Sequence, residues 1–338
     1  MKKPISVNLI SESEFTVKGH GVHTAYVEMR EAMKKCPDIK LYINDKNAET
    51  DIIHIHTMGL YSANFLHKKH GKKVVSGHLV PDSFVGSIIG AKYWKPLGAW
   101  WLKRFYKQAD LVLACSGLVK TELTHNMKLN NVDILYNSIN TEQYHFTDKQ
   151  RKAAREKLGI KNKEFVIIGN GQVQPRKRCD ILIDLAKQLP NVRFFWVGGI
   201  PFKGLGDKYH DMQQLIKSAP KNMTITGVIP LEDVKQYYAA ADLFILPAEQ
   251  ENHPMCVIEA AASSLPIILR DIPNYKDTFK NDVMLAKTDA DFMNLVKKAI
   301  DNPDLLAEYR QKSAKIAQRF DSQTAINRLL DFYRQLLK

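Results

Sequence analysis

The stretch ADLFILPAEQENHPMCVIEAAA, residues 241–262, contains a strand, a polar loop and a helix in immediate succession. The short apolar run that ends at Pro247 predicts a buried strand. Pro254 suits the first turn of a helix, where its missing N–H group costs nothing. Glu251 then lies in the loop, and Glu259 lies about one and a half turns into the helix. Two carboxylates beside the free N–H groups of a helix start could hold different hydroxyl groups of one ligand, although such acids are more often simply solvated.

Composition limits the classes of protein to which the chain can belong. At 338 residues it is long enough for two domains, and its 45% apolar and 25% charged residues are typical of a soluble globular protein. No apolar stretch approaches the roughly 18–20 residues of a membrane-spanning helix, and the segment behind Met1 is too short and too polar for a signal peptide. The four cysteines stand far apart, without metal-ligand spacing, and are interpreted as reduced cytosolic thiols.

The net charge of +13 is concentrated in one segment of the sequence. Between Lys68 and Lys107 there are nine Lys or Arg residues and one acid, Asp82, and three of the four tryptophans lie there too. An anionic bilayer attracts basic side chains interleaved with aromatic ones, and each surface Lys or Arg contributes roughly 1 kcal/mol. Single-stranded nucleic acid uses the same chemistry, and an ordinary helix with a solvated basic face has the same composition. The candidate surface residues are Lys92, Trp94, Lys95, Trp100, Trp101, Lys103 and Arg104.

Segments with the character of strands and helices alternate along most of the chain. The predicted strands are residues 4–10, 51–57, 74–78, 111–116, 132–137, 165–169, 192–197, 223–226 and 243–246. Two short amphipathic helices are predicted between residues 82 and 107. Such alternation predicts parallel sheets that helices cover on both faces. Two series of this kind, joined by the charged segment 141–164, give two Rossmann-like domains with a ligand cleft between them.

Glycines and polar residues follow several of these strands. Gly19 and Gly21 lie between the first strand and a helix, where glycine lets the backbone approach a phosphate or sugar closely. His78 ends another strand, a position at which a lone histidine is more often structural than functional. In the second half, GNGQVQPRKR at residues 169–178 places three cations beside glycines and just ahead of a helix. Such a cluster suits a diphosphate, although a solvated basic turn has the same sequence features.

The order of these segments resembles the retaining glycosyltransferases of the GT-B fold, in the family 4-like group that includes sucrose and glycolipid synthases. The resemblance rests on the two glutamates eight positions apart after the ADLFILPA strand, on DIIHIHT at residues 51–57 and on the turn at residues 137–140. It implies an α/β fold with two Rossmann-like domains facing a central cleft. The implied domains are an acceptor- and membrane-facing domain at residues 1–145, a nucleotide-sugar-binding domain at 146–310, and a helix at 311–338 that crosses back to the first domain.

The resemblance also implies roles for individual residues. Glu251 matches the acid near the donor sugar, Lys177 matches the lysine that holds the diphosphate in place of a metal ion, and His78 matches a histidine that contacts the sugar. These three are the predicted catalytic residues, and no nucleophile is predicted. Glu259 matches the acid that binds both ribose hydroxyl groups. The remaining predicted donor-binding residues are Gly19, Gly21, Gln172, Arg176, Val228, Ile229, His253, Met255, Cys256 and Val257.

Two positions depart from the pattern of the family. Gln172 stands where relatives have an arginine, so Arg176 or Arg178 would have to supply the missing charge. Residues 252–254 are Asn-His-Pro where the family usually has Gly-Phe-Gly. Proline cannot donate an N–H, so this loop must hold the sugar somewhat differently.

The sequence therefore predicts a metal-independent hexosyltransferase without a cofactor, in which cations and helix-start N–H groups stabilise the leaving diphosphate. Within the family, the basic aromatic segment and the run GQVQPRKR resemble those of bacterial diacylglycerol glycosyltransferases. That resemblance implies UDP-glucose or UDP-galactose and glucosyl-diacylglycerol as substrates, in glycolipid or lipoteichoic acid anchor synthesis. The enzyme would be cytoplasmic and peripheral on the inner face of the cell membrane, with no nucleic-acid partner. The alternatives are first-sugar transfer to diacylglycerol, transfer to a non-lipid glycan, a UDP-sugar epimerase of the same fold, and a non-catalytic nucleotide-sugar-binding regulator.

Overall fold

The structure is a computed structural model that describes residues 3–15, 21–84, 91–161, 163–200 and 208–338. These residues form two compact units. The first unit is built from residues within 1–85, 92–140 and 320–338, and the second from residues within 141–319. After residue 319 the chain returns to the first unit for its last helix.

Each unit contains one sheet with helices between its strands. The strands are β1 (Ile5–Ile10), β2 (Ile39–Ile43), β3 (Ile52–Ile55), β4 (Lys72–Gly77), β5 (Leu111–Ala114), β6 (Val132–Ile134), β7 (Phe165–Asn170), β8 (Val192–Val197), β9 (Met223–Ile225), β10 (Leu243–Leu246), β11 (Ile267–Arg270) and β12 (Met284–Ala286). The helices are α1 (Gly21–Lys35), α2 (Leu60–Leu66), α3 (Ala91–Tyr106), α4 (Gly117–Thr121), α5 (Asp148–Lys157), α6 (Cys179–Gln188), α7 (Tyr209–Lys217), α8 (Leu231–Ala240), α9 (Met255–Ala262), α10 (Asp289–Asp301), α11 (Pro303–Arg319) and α12 (Ser322–Leu336).

Both sheets have six parallel strands, and both have a point at which the strand order reverses. The order in the first unit is β2-β1-β3-β4-β5-β6, and in the second it is β12-β11-β10-β7-β8-β9. The reversal falls between β1 and β3 in the first unit and between β7 and β10 in the second. In open α/β sheets, ligands bind outside the carboxyl ends of the strands at such a point. The predicted fold of two Rossmann-like domains is confirmed.

Several strands have continuous apolar sequences because both faces of each sheet are covered. All residues of β3, β10 and β11 are buried, as expected for strands covered on both faces. In the first unit, α12 contributes Ile326, Leu329, Leu330, Phe332 and Tyr333 to a core shared with β1 and α1. The last helix is therefore an integral part of the first unit.

The segment predicted to hold two short helices between residues 82 and 107 contains a 3₁₀ turn, Pro81–Phe84, and one longer helix in the part that the structure describes. Residues 91–106 form a single helix of 16 residues, α3, which contains Pro96. Proline in a helix removes one backbone hydrogen bond and is unfavourable. The helix continues because Leu102, Phe105 and Tyr106 in its last turns are buried in the core of the first unit.

Candidate functional site

In the second unit, the predicted catalytic pair lies at the point where the strand order reverses. β7 and β10 are neighbours in the sheet, and Lys177 and Glu251 lie in the loops that follow them. The loop after β7 ends in a 3₁₀ turn, Pro175–Lys177, and the loop after β10 leads into α9. The parallel pairing of the two strands thus brings together residues 74 positions apart in sequence.

Lys177 and Glu251 form a buried ion pair. Their side chains are only 10% and 9% exposed, and Lys177 Nζ donates to Glu251 Oε1. Arg176 joins them: its Nη1 lies 3.7 Å from the same Oε1 and donates to the backbone carbonyl oxygen of Gln250 (2.9 Å). Two cations thus face one carboxylate, which leaves local positive charge. A lysine ammonium has three N–H donors, so Lys177 can also bind an anion while it keeps Glu251.

Glycines make the room around this ion pair. A Cβ on Gly171 would lie 3.6 Å from Lys177 Cε, and its φ of +156° is unfavourable for other residues. A Cβ on Gly198 would lie 2.1 Å from the carbonyl oxygen of Gly171, which no side chain could tolerate. The backbone after β7 therefore packs directly on the backbone after β8, and only glycine permits that approach.

Arg178 is held away from Glu251 by three other carboxylates. Its guanidinium donates to Asp180 (3.0 Å), Glu249 (2.6 Å) and Asp289 (2.6 Å), and Asp289 also accepts from Arg270 (2.5 Å). These contacts raise the pKa of Arg178, chiefly through Asp180, and the two arginines lower the pKa of Asp289. The network joins the loops after β7 and β10 to the start of α10. It therefore fixes the loops that carry Lys177 and Glu251.

Glu259 is positioned by two residues that the sequence analysis did not identify. Tyr238 Oη donates to Glu259 Oε2 (2.7 Å), and Asn170 Nδ2 donates to Tyr238 Oη (2.8 Å) and lies 3.4 Å from Glu259 Oε2. Burial and the nearby Glu259 carboxylate raise the pKa of Tyr238, so its hydroxyl stays protonated and remains a hydrogen-bond donor. Asn170 could have been noticed as a polar residue that ends a strand, but nothing in the sequence points to Tyr238.

The other predicted donor-binding residues of this unit lie around the same loops. His253 is buried and stacks on Phe279, with ring centroids 5.2 Å apart. Val228 follows β9 and is 61% exposed, which is unusual for valine. Gln172, which follows Gly171, is half-buried, and so is Ile229 beside Val228. The buried side chains at the start of α9 are those of Met255, Cys256 and Val257. Burial raises the pKa of the Cys256 thiol, so that it stays protonated.

In the first unit, His78 directly follows β4 and contacts a second histidine. His78 Nε2 lies 3.2 Å from Nε2 of His56, which directly follows β3, and the ring centroids are 4.5 Å apart. A third histidine, His54, is fully buried and bonds Tyr333 Oη through Nδ1 (2.5 Å) and Ser76 Oγ through Nε2 (2.9 Å). Burial, and then the nearby His78, lower the pKa of His54 to about 3. Gly21 opens α1, whereas Gly19 lies outside the described residues.

A pocket in the first unit contains this pair of histidines. Its polar lining comes from His56, Ser76, His78, Asn137, Ser138 and Ser322, and its apolar lining includes Ala25, Met29, Leu113, Leu135, Ile326 and Leu329. The carboxyl ends of β3 and β4 thus meet α1, α12 and the segment after β6 around one small cavity.

α3 presents an apolar and basic outer face. Leu97 and Trp100 are 67% and 58% exposed, and the guanidinium of Arg104 lies over the Trp100 ring at 6.0 Å. Trp101 is half-buried and packs against Phe105, and Lys103 is half-buried. The backbone of Lys92, Trp94 and Lys95 belongs to the same helix, but their side chains are outside the described part of the chain.

The described residues contain neither a cluster of metal ligands nor a membrane-spanning helix. No group of three or more His, Cys, Asp or Glu side chains within those ranges is arranged to hold a metal ion. No helix of the described ranges has both the length and the apolar character needed to cross a membrane.

Two protein-family models match the chain. The model described as "Glycosyl transferases group 1" matches residues 150–319, half of the chain, and the model described as "Glycosyltransferase Family 4" matches residues 20–143. The first match covers Lys177, Glu251 and Glu259, and the second covers His56 and His78.

Curated proteins and solved structures are similar over nearly the whole length. An alpha-galactosylglucosyldiacylglycerol synthase of Streptococcus pneumoniae is 29% identical, over 99% of this chain and 90% of its own. A processive diacylglycerol alpha-glucosyltransferase of Acholeplasma laidlawii is 26% identical, over 99% of both chains. The structure of Anabaena Alr3699/HepE in complex with UDP-glucose superposes with a TM-score of 0.78 at 17% identity, over 98% of this chain and 100% of its own.

Proposed function

Because this chain belongs to the group 1 family of glycosyl transferases, whose model matches half of it, we propose that it transfers a hexose from a UDP-sugar to a glycolipid at a membrane surface. That it is a glycosyltransferase follows from the family, as the sequence analysis predicted. The sugar donor, the acceptor and the stereochemistry are the proposed part.

The buried Lys177–Glu251 pair with Arg176 beside it is the observation that carries the proposal. It lies where the strand order reverses, and it has two cations for one carboxylate. A lysine ammonium has three N–H donors, so Lys177 can donate to an anionic ligand while it keeps its bond to Glu251, and Arg176 adds a second positive charge beside it. The diphosphate of a UDP-sugar is such an anion, and cations fixed beside it stabilise it further as it leaves. We propose that Arg176 and Lys177 bind the diphosphate, and that Glu251 both orients Lys177 and lies beside the sugar.

We propose that Glu259 binds the ribose of the same ligand. Its buried carboxylate is oriented by the hydroxyl of Tyr238, and an ionised carboxylate is an acceptor suited to the hydroxyl groups of a ribose. The backbone at Gly227 and Val228, exposed after β9, is the proposed contact of the uracil base. The relative solved with UDP-glucose supports this choice of ligand class. On the first unit, we propose that His78 contacts the transferred sugar.

We propose that transfer is retaining and needs no metal ion. The two similar synthases are named for alpha-linked products, and UDP-hexoses carry their sugar in alpha linkage, so an alpha product is one of retention. Arg176 and Lys177 supply the positive charge that a metal ion would otherwise provide to the diphosphate. The expected result is full activity after treatment with a chelator.

The acceptor we propose is glucosyl-diacylglycerol, which would make this the enzyme of the second sugar. The streptococcal relative, named for a product with two sugars, supports this step. The processive relative from Acholeplasma favours a second candidate, transfer of the first sugar to diacylglycerol. The test is to give the purified protein UDP-glucose or UDP-galactose with either diacylglycerol or glucosyl-diacylglycerol. Mass spectrometry of the products then distinguishes first-sugar from second-sugar transfer. A product only from diacylglycerol would reject second-sugar transfer and support the alternative.

Paired substitutions test the proposed donor site. Removing Lys177 alone would leave Glu251 buried without its main partner, at about 3–5 kcal/mol, so loss of activity could reflect unfolding. The double variant Lys177→Gln/Glu251→Gln instead leaves a neutral, hydrogen-bonding pair of similar size. We expect it to fold and to lose at least about 100-fold in transfer, since it removes charge from the site at which charge develops.

The control for this double variant is Lys187→Gln, on α6 after the same loop, where the side chain is 51% exposed and pairs with Asp184. Its affinity for UDP, measured by calorimetry in chelator-treated buffer, should equal that of the wild type. A folded double variant that binds UDP and transfers sugar like the wild type would refute the proposed site.

A further inference from the structure

His56 and His78 form a hydrogen-bonded pair that the proposed reaction does not yet explain. The two Nε2 atoms are 3.2 Å apart, and the rings are tilted by 43°. Both side chains are buried, with 1% of His56 and 9% of His78 exposed. They follow adjacent parallel strands, β3 and β4, so that the backbone sets their separation.

A bond between two Nε2 atoms restricts the protonation of both rings. One Nε2 must carry the hydrogen and the other must be bare. In the neutral pair, one ring is therefore the Nε2–H tautomer and the other is the Nδ1–H tautomer. If both rings were charged, both Nε2 atoms would be donors and the bond would be lost. The ring orientation and the tautomer of His78 thus depend on its partner.

Tyr26 and the strand that carries His54 pack around His56. The ring of Tyr26, on α1, packs edge-on against His56 at 5.7 Å. His54, two residues earlier on the same strand, is bonded at both nitrogens by Tyr333 and Ser76 and stays neutral. Both histidines line the pocket, and His56, which packs against Tyr26, is the less exposed of the two.

We propose that His56 is a positioning residue for His78: through the bond between the two Nε2 atoms, it sets the ring orientation and the tautomer that His78 presents to the transferred sugar. The part that concerns the sugar rests on the proposed function. The part that concerns the tautomer does not.

The test compares His56→Gln with His56→Leu in the full chain. A glutamine amide offers both a donor and an acceptor, so it can keep the bond to His78 whichever way the hydrogen points, whereas leucine cannot. We expect His56→Leu to lose about tenfold or more in kcat with little change in the KM for the UDP-sugar, since misplacing a reacting group by 1 Å can cost roughly 100-fold. His56→Gln should recover to within about threefold of the wild type.

A spectroscopic measurement is made on the same proteins without substrate. The ¹⁵N shifts of the imidazole nitrogens report the tautomer, and the signals of His78 are identified by their loss in His78→Gln. We expect the tautomer of His78 to be single in the wild type and in His56→Gln, and mixed or changed in His56→Leu. This measurement tests the effect of His56 on the tautomer of His78 even if the wild type transfers no sugar. Absence of transfer would refute only the proposed function.

The matched control is His54→Gln, a substitution two residues away on the same strand at an equally buried site. It should leave the tautomer of His78 and kcat close to those of the wild type. Two outcomes would overturn the inference. One is a His56→Leu variant with the His78 tautomer and kcat of the wild type. The other is an equal loss of kcat in His54→Gln, which would mean that any change in this strand has the same effect.

Discussion

Three consecutive cations, Arg176, Lys177 and Arg178, have different tasks because of the turn on which they lie. Arg176 and Lys177 lie within the 3₁₀ turn Pro175–Lys177, whereas Arg178 follows it and precedes α6. Arg176 and Lys177 face Glu251, whereas Arg178 adopts a left-handed conformation (φ +53°) and binds Asp180, Glu249 and Asp289. We therefore propose that Arg176, rather than Arg178, supplies the charge that a family arginine would supply at Gln172. Arg178 instead stabilises the loops.

The hydroxyl of Tyr238 offers a test of the proposed ribose site. In Tyr238→Phe, Glu259 loses a charged hydrogen bond that helps to orient its carboxylate and contributes about 1.5–3 kcal/mol. We expect the KM for the UDP-sugar to rise about tenfold or more, with a much smaller change in kcat. Steady-state kinetics would show this. The control Tyr106→Phe removes a buried tyrosine hydroxyl in the first unit, where it bonds the carbonyl oxygen of Leu79, and should leave the KM unchanged.

His54 predicts how stability depends on pH. Its pKa falls from 6.5 to about 3 on folding, because burial and then His78 disfavour the charged form. The unfolded chain therefore binds a proton below pH 6.5 that the folded chain does not, and stability is lost as the pH falls from there towards 3. We expect this residue to lower the free energy of unfolding by about 2 kcal/mol between pH 7.5 and pH 5. Urea unfolding at both values measures it, and His54→Gln should show a correspondingly smaller loss. Equal losses in the two proteins would contradict the prediction.

At the level of helices and strands, the sequence predicted the elements with a strong local pattern. β8 and β10 have the predicted bounds, 192–197 and 243–246, because their apolar runs are long or end at proline. β2 was not predicted: it lies at the edge of its sheet, and its exposed Lys40 interrupts the apolar pattern. α2 was missed because it has seven residues and begins at Gly59 without a side-chain cap. Short edge elements depend on tertiary packing more than on their own sequence.

The candidate site was predictable only as far as each residue lies in a local motif. Lys177, Glu251 and Glu259 were named because they follow strands in recognisable segments. Tyr238 and Asn170, by contrast, are 68 residues apart, and the partners of Arg178 include residues 71 and 111 positions away. Such contacts are set by the order of the strands in the sheet, which one sequence does not contain.

α3 provides a test of the proposed membrane surface. Leu97, Trp100 and Arg104 lie three and four residues apart, so they share one outer face, opposite to the buried Leu102, Phe105 and Tyr106. In Leu97→Ser/Trp100→Ser we expect binding to any vesicle to fall about 30-fold or more, since the two apolar side chains together contribute about 2–4 kcal/mol. In Arg104→Gln, binding to anionic vesicles alone should fall about fivefold.

Vesicle sedimentation measures both effects. The control is Leu337→Ser, which changes another exposed leucine, 41% accessible, on the segment that follows α12. Its binding should equal that of the wild type. Should Leu97→Ser/Trp100→Ser sediment like this control, α3 is not the membrane-binding face.

The first unit depends on the last helix of the chain to complete its core. Nearly all of the second unit comes from one segment, residues 141–319, whereas the first needs residues 320–338 from the far end of the chain. α12 supplies five residues of its core, and one of them, Tyr333, is the hydrogen-bond partner of His54. The first unit therefore completes its core only with the last helix, while the second can fold from its own segment.

Truncation after Arg319 tests this dependence. The deletion removes Ile326, Leu329, Leu330, Phe332 and Tyr333 from the core and exposes the side chains of β1 and α1 that they cover. Removing one large core side chain costs about 2–5 kcal/mol, so losing five exceeds the 5–15 kcal/mol that stabilises a typical domain. We expect residues 1–319 to show in calorimetry only the transition of residues 141–319, produced separately as the control. Since His56 and His78 belong to the unit that unfolds, the truncated chain should bind UDP in its second unit and transfer no sugar. A truncated chain with a second cooperative transition would show that the first unit is stable without α12.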